Sequence, residues 1–245
     1  MANAPVTAQL VPATTSAAVA APATADLVVN PSLHPSSGDV TFQSEGQEGG
    51  PYHSRKLHVP SGTSGLTIGR GYDMGGKSAT QIILDLTNAG MSADDAKTLA
   101  KAHGLRGKAA ENFIKTNKLE KFAIGSDVQI KLFDISYADE QSEVVRISSK
   151  QDVVTKYGQV DFDTIDPALK DLMVDLKFRG DYTGHSRTLL QKAFVENDLK
   201  KVQGIMGNTK NWPGVPSDRF KRRKALIDKA VENAANQNKP TVKLP

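Results

Sequence analysis

Two acids, Glu45 and Glu48, sit in the stretch Ser44-Glu45-Gly46-Gln47-Glu48, and a second polar stretch follows at Thr67-Ile68-Gly69-Arg70-Gly71-Tyr72-Asp73. Together they hold what glycosidic bond cleavage requires. One carboxylic acid must protonate the leaving oxygen, and a second polar group must hold water or charge across the sugar. A Glu followed by Gly, near a helix end and a hairpin, could line a cleft. Apolar walls there would raise its pKa and keep its proton near neutrality. Thr67 could orient the attacking water, and Asp73 could position that water or supply negative charge. Glu45 and Glu48 both remain candidates for the acid at this point.

The elements that must carry these residues are legible in part. Leu57-His58-Val59 and Leu66-Thr67-Ile68 flank Ser61-Gly62-Thr63-Ser64-Gly65, which predicts a hairpin. Helices follow. Ser78 with Gln81 forms a capping box that opens one through Ile82, Ile83 and Leu86, closed by Gly90. Ser92 caps the next, which stops near Gly104, and a third runs through Ala109, Phe113 and Ile114. Ser126 with Gln129 opens another, with Val128, Ile130, Leu132, Phe133 and Tyr137 on its apolar side. Asp166-Pro167 starts a helix with Leu169, Leu172, Met173 and Leu176 at core spacing, ending at Gly180. Residues 186–206 give one or two more. The last helix follows Pro216-Ser217-Asp218 and uses Phe220, Leu226, Ile227, Ala230 and Val231. The fold class is α+β and mostly α-helical, with a small β-hairpin.

Residues 1–38 differ in kind. They hold five of the twelve prolines, no aromatic residue and no periodicity. Such a segment buries too little apolar surface to offset its ordering entropy, so a disordered tail is expected there, with the folded domain at 39–240. It lacks the basic start of a Sec signal peptide, and the apolar stretch Ala17 to Ala21 ends at Pro22. The first Lys or Arg is Arg55, so the positive excess sits in the folded part. A basic body favours a polyanionic partner. With no Cys, thiolate chemistry is excluded. No apolar run is long enough for a membrane span.

Glu45-Gly46, with Ser64-Gly65-Leu66-Thr67-Ile68-Gly69-Arg70-Gly71-Tyr72-Asp73-Met74-Gly75, resembles the active-site region of phage-type lysozymes, and most closely that of pesticin-like bacterial toxins. The resemblance implies a two-lobed lysozyme-like fold with a small β-hairpin lobe and a helical lobe from about 126 to 236. It places the Glu-Gly pair at the end of a first helix as the acid, and Thr67 beside the nucleophilic water. Asp73, six residues after Thr67, matches the Asp of the pesticin-like branch. Gly71 and Tyr72 become substrate-binding or supporting residues. Ile124-Gly125, Gln129 and Leu132-Phe133 are similar to a further helix of that family. Trp212, Arg219 and Arg222 match its Trp-x6-Arg-x2-Arg pattern, in which the first Arg packs behind the acid. Two departures stand out. Glu45 precedes Thr67 by 22 residues, a longer interval than in phage lysozymes, and no Asp lies between residues 49 and 66.

The activity so implied is that of an inverting muramidase, cutting the β-1,4 bond between N-acetylmuramic acid and N-acetylglucosamine. No cofactor or metal is called for: His53 and His58 lack an acid partner in ligand spacing. The implied role is a secreted or injected antibacterial toxin acting on peptidoglycan in the periplasm of target bacteria. It would have an immunity protein and a secretion-machine carrier met through the N-terminal tail. A phage endolysin or virion-associated lysozyme is the near alternative. An inactive wall-binding module, or a nucleic-acid binder using the basic run Arg219, Lys221, Arg222, Arg223 and Lys224, is the alternative of another class. Against the latter, this helix also carries an apolar face, so no nucleic-acid partner is expected.

Overall fold

The computed structural model describes residues 33–50 and 53–237. The described chain is mostly helical with one small antiparallel sheet. Helix α1 (Asp39–Ser44) comes first, then strands β1 (Thr67–Ile68) and β2 (Tyr72–Asp73). Next are α2 (Ala79–Asn88), α3 (Ala93–Ala100), α4 (Gly107–Thr116) and α5 (Ser126–Ser148). The chain continues through α6 (Gln151–Tyr157), α7 (Pro167–Arg179), α8 (Gly184–Val195), α9 (Leu199–Gly207) and α10 (Ser217–Gln237).

Most helix starts follow the expected chemistry. The side chains of Ser78, Ser92 and Asp166 each accept a backbone N–H of their first turn, which removes an orphan donor at each start. Pro167 occupies the first turn of α7, and Gly180 ends it in the left-handed conformation. The Asp181 N–H, just past this end, donates back to Leu176 O.

Three expectations need correction. Ser126 does not cap its helix: Gly125 occupies the cap position of α5, with no side-chain cap. Gln129 is fully buried and spends its amide on Glu48 instead. The hairpin lies one strand later than expected. β1 pairs with β2 in the register Thr67↔Asp73 and Ile68↔Tyr72, around the turn Gly69-Arg70-Gly71. The expected partner strand contributes a single bridge, His58↔Thr67, with N–H···O distances of 3.0 and 2.9 Å. Helix α6 was not expected. Its β-branched Val153, Val154 and Thr155 mask any helical signal.

Two hydrophobic clusters form the core. One gathers Leu66, Ile68, Tyr72 and Met74 of the hairpin region with Ile82, Leu86, Leu99 and Ala110 of α2 to α4. The other gathers Phe42 of α1 with Leu169, Leu172 and Leu176 of α7, Phe194 of α8 and Ile227 of α10. Helix α5 belongs to both. Leu132 enters the first cluster and its neighbour Phe133 the second. Successive helical residues point about 100° apart, so α5 is buried on two sides and joins the clusters. Phe42 meets Phe133 edge-on at 5.0 Å, which docks the short α1 on α5. Burying a Phe side chain contributes about 1.5–3 kcal/mol, enough to hold so short a helix in place.

Leu33 is buried in the second cluster, and the Gln43 amide donates to its carbonyl at 3.2 Å. The packed body thus starts before residue 39. Residues 1–32 of the expected tail, and 238–240 at the other end, lie outside the described residues. No described helix is long and apolar enough to cross a membrane.

Candidate functional site

Glu45 is the C-cap of α1, and its N–H donates to Thr41 O at 2.9 Å. Three groups fix this helix end. Arg70, at the tip of the β-turn, donates from Nη1 to Phe42 O at 2.6 Å and to Gly46 O at 2.9 Å. Its guanidinium also lies 4.0 Å from the Phe42 ring centre. Last-turn carbonyls of a helix lack intrahelical donors, and a cation suits them. The hairpin turn is thereby tied to the residues on both sides of Glu45.

The second group is Arg219 of α10, whose Nη1 donates to Glu45 Oε1 at 2.6 Å. The same guanidinium donates from Nη2 to Asp175 Oδ1 at 2.6 Å. Asp175 of α7 is fully buried and also takes Arg223 Nε on Oδ2 at 2.5 Å. The third group, Thr41 of α1, donates its hydroxyl to Asp175 Oδ1 at 3.0 Å. Burial pushes the Asp175 carboxyl up, but Arg223 and Arg219 outweigh it and hold the pKa below the usual carboxylate range. Asp175 is therefore an anion that absorbs much of the positive charge behind Glu45.

Glu45 itself is 22% exposed. Burial raises its pKa most. Arg219 opposes this by charge and hydrogen bond, Asp175 adds to it, and the net direction is upward. A carboxyl so placed keeps its proton to higher pH than a free Glu and can donate it.

Glu45 lines two cavities. The smaller, about 440 Å³, is also lined by Ser64, Gly71, Asp73 and Lys77 of the hairpin region, by Ser136, Asp139 and Glu140 of α5, and by Phe178 of α7. The larger, about 860 Å³, is lined by Glu45 with Gln47, Lys56, Leu57, Val59 and Arg222 among others. Asp73 sits opposite Thr67 in the ladder. Its Oδ1 accepts Gly75 N–H at 2.7 Å and its Oδ2 accepts Gly65 N–H at 3.1 Å. One lone pair on each oxygen remains for a water or sugar hydroxyl.

The other expected site residues lie elsewhere. Thr67 is 3% exposed, donates its hydroxyl to Gly65 O at 3.1 Å and lines neither cavity. Tyr72 is fully buried, and its hydroxyl donates to Asp85 Oδ2 at 2.8 Å. It supports the hairpin from within the core and cannot touch a ligand. Gly71 does line the smaller cavity. It sits at φ 89°, and a Cβ there would fall 2.7 Å from Phe178 Cε1.

Glu48 also pairs with an arginine, but it is sealed from both cavities. It is 6% exposed and lines neither cavity. Arg55 Nε donates to its Oε2 at 3.1 Å and Gln129 Nε2 to its Oε1 at 2.7 Å. Arg70 Nη2 is 3.9 Å away. Glu48 is a buried counter-ion that joins the loop after α1 to α5.

The basic run of α10 is largely consumed within the protein. Arg219 and Arg223 are buried, and Arg222 pairs with Asp218 at 2.7 Å. Lys224 pairs with Asp228 at 2.5 Å. The buried arginines are Arg219 and Arg223, four apart on one helix face, whereas Arg222 of the Trp-x6-Arg-x2-Arg pattern faces Ser44 and Asp218. Sequence reasoning missed Arg70, Asp175 and Arg223. One signal was available: Asp175 lies inside the apolar run Leu172-Met173-Val174-Asp175-Leu176, where an acid must find a cation.

Among the described residues no group of three or more His, Asp or Glu could hold a metal ion. In sequence comparison no curated protein matches the chain. Residues 38–224 match the family described as Domain of unknown function (DUF8812), and the chain belongs to that family.

Proposed function

We propose that this protein is a peptidoglycan muramidase with a lysozyme-like arrangement of two lobes, and that Glu45 is its general acid. One observation carries the reading. Glu45 is a shielded carboxyl with a raised pKa, and it lines the same cleft as Asp73 on the hairpin. Inverting glycoside hydrolysis needs that pairing: an acid on one side of the sugar and a carboxylate that activates water on the other. Glu45 protonates the bridging oxygen. Asp73 holds the water, with Thr67 behind it setting the strand that carries it. Gly71 lets Phe178 pack against the turn, and the two together wall the side of the cleft where the sugar sits. Arg219 orients Glu45, and Asp175 keeps Arg219 from stabilising the Glu45 anion too strongly.

The biological role that fits is an antibacterial toxin, secreted or injected, acting on peptidoglycan in the periplasm of a target cell. An immunity protein would cover the cleft. The segment before residue 33 would meet a secretion-machine carrier. A phage lysin with the same chemistry is the near alternative.

The direct test is clearing of purified sacculi. The wild-type protein should lower their turbidity and release new reducing ends, while Glu45→Gln should be inert though folded by circular dichroism. Binding to sacculi without clearing by the wild type would make the protein a wall-binding module. Full clearing by Glu45→Gln would remove Glu45 from the chemistry.

A further inference from the structure

The two cavities that meet at Glu45 differ in more than size. Asp73 lines only the smaller, and the larger holds no second acid from the hairpin. In an inverting hydrolysis the attacked sugar must lie between acid and base. The acid, by contrast, also touches the oxygen that leaves, so the leaving strand extends on the far side of the acid from the base. Resting on the muramidase reading, we propose that the glycan runs in one direction only. The attacked sugar sits between Glu45 and Asp73, and the strand toward the reducing end fills the larger groove along Lys56, Leu57 and Val59.

The step balances under this orientation. The Glu45 proton passes to the bridging oxygen, and the bond from that oxygen to the anomeric carbon breaks. A water oxygen bonds the anomeric carbon from the Asp73 side, and its proton goes to Asp73. The product leaving along the larger groove carries a hydroxyl where the bond was. The product left in the smaller hollow carries the new reducing end.

The volumes then set where a strand is cut. The leaving side offers about 860 Å³ and the attacked side about 440 Å³. Phe178 and the Gly71 turn stand on the attacked side. The leaving side offers the apolar Leu57, Val59 and Pro60 for ring faces, and Lys56 and Gln47 for hydroxyl and carbonyl oxygens. Such a mixed lining suits a saccharide. More sugars are bound beyond Glu45 than before it, so short pieces come off the non-reducing end.

The test uses a soluble glycan of several peptidoglycan disaccharides, labelled at its reducing end, with the full-length wild-type protein. The first products should be a short unlabelled piece and a long labelled one. A short labelled piece as the main first product, or cuts spread evenly, would overturn the orientation and leave the muramidase reading standing. No cut in either the oligomer or sacculi would sink both. Val59→Trp, filling the larger groove, should raise KM for the long oligomer severalfold with kcat little changed. Pro60→Trp, on the exposed rim of the same groove, should act in the same direction without disturbing the core. Unchanged KM in both folded variants would also overturn the proposal.

Discussion

Arg219 Nη1 lies 2.6 Å from Glu45 Oε1, although 174 residues separate them along the chain. The contact joins the end of the first described helix to the start of the last one. It exists because Asp175 fixes the other side of the same guanidinium. Replacing Arg219 with Met leaves Asp175 buried with one cation fewer. Breaking a buried pair by removing one partner costs about 3–5 kcal/mol, and urea unfolding should show a loss of that order. Arg219 also lowers the Glu45 pKa, so its removal sends that pKa further up. Whatever activity remains should persist to higher pH than in the wild type. A profile whose alkaline side moves to lower pH would contradict the arrangement.

Glu45→Gln has a stability signature independent of catalysis. The folded Glu45 pKa is raised, so between its unfolded and folded values the native state binds more protons than the unfolded state. Wild-type stability from this group therefore falls as pH rises through that window. Gln has no such proton and can still accept from Arg219. Relative to the wild type, the variant should gain stability as pH climbs from the acidic range to neutrality. Urea midpoints at several pH values measure this, and a relative loss with rising pH would contradict a raised Glu45 pKa.

Glu48→Gln should do the opposite. Glu48 neutralises Arg55, whose side chain is 0% exposed, and it lines neither cavity. The variant should lose about 3 kcal/mol of stability, yet keep its clearing rate per folded molecule at low temperature. Loss of clearing in a fully folded variant would move the acid to Glu48.

Much of this fold was legible because caps are local. Ser78, Ser92 and Asp166-Pro167 each announce a helix within a few residues, and each does so in the structure. The hairpin was displaced by one strand because Thr67 pairs on both sides, with His58 and with Asp73, and alternation alone does not say which pairing extends. At the site, type and spacing offered Glu45, Glu48 and Asp73, and the family resemblance added Gly71; of these, Glu45, Gly71 and Asp73 line one cleft. Arg70, Asp175 and Arg223 were not. Their roles depend on which helix faces which, and a buried arginine looks like a surface one until its acid is located. Gln129 misled for a related reason, because a distant Glu48 outbid the local cap.

Gly71→Ala probes the wall of the cleft. A Cβ at φ 89° is strained, and it would press on Phe178 Cε1 at 2.7 Å. Backbone strain of this kind costs about 1–3 kcal/mol. The variant should melt lower and clear sacculi more slowly, with KM affected because Phe178 must shift into the smaller cavity. Unchanged melting would show that Phe178 moves freely.

If the Glu45 proton breaks the glycan, bond cleavage depends on that one side chain. Reducing ends released from purified sacculi should be counted for the wild type, Glu45→Gln and Glu48→Gln, each corrected for folded protein. Release should be steady for the wild type and Glu48→Gln, and no higher than background for Glu45→Gln. Equal release by the wild type and Glu45→Gln would contradict that dependence.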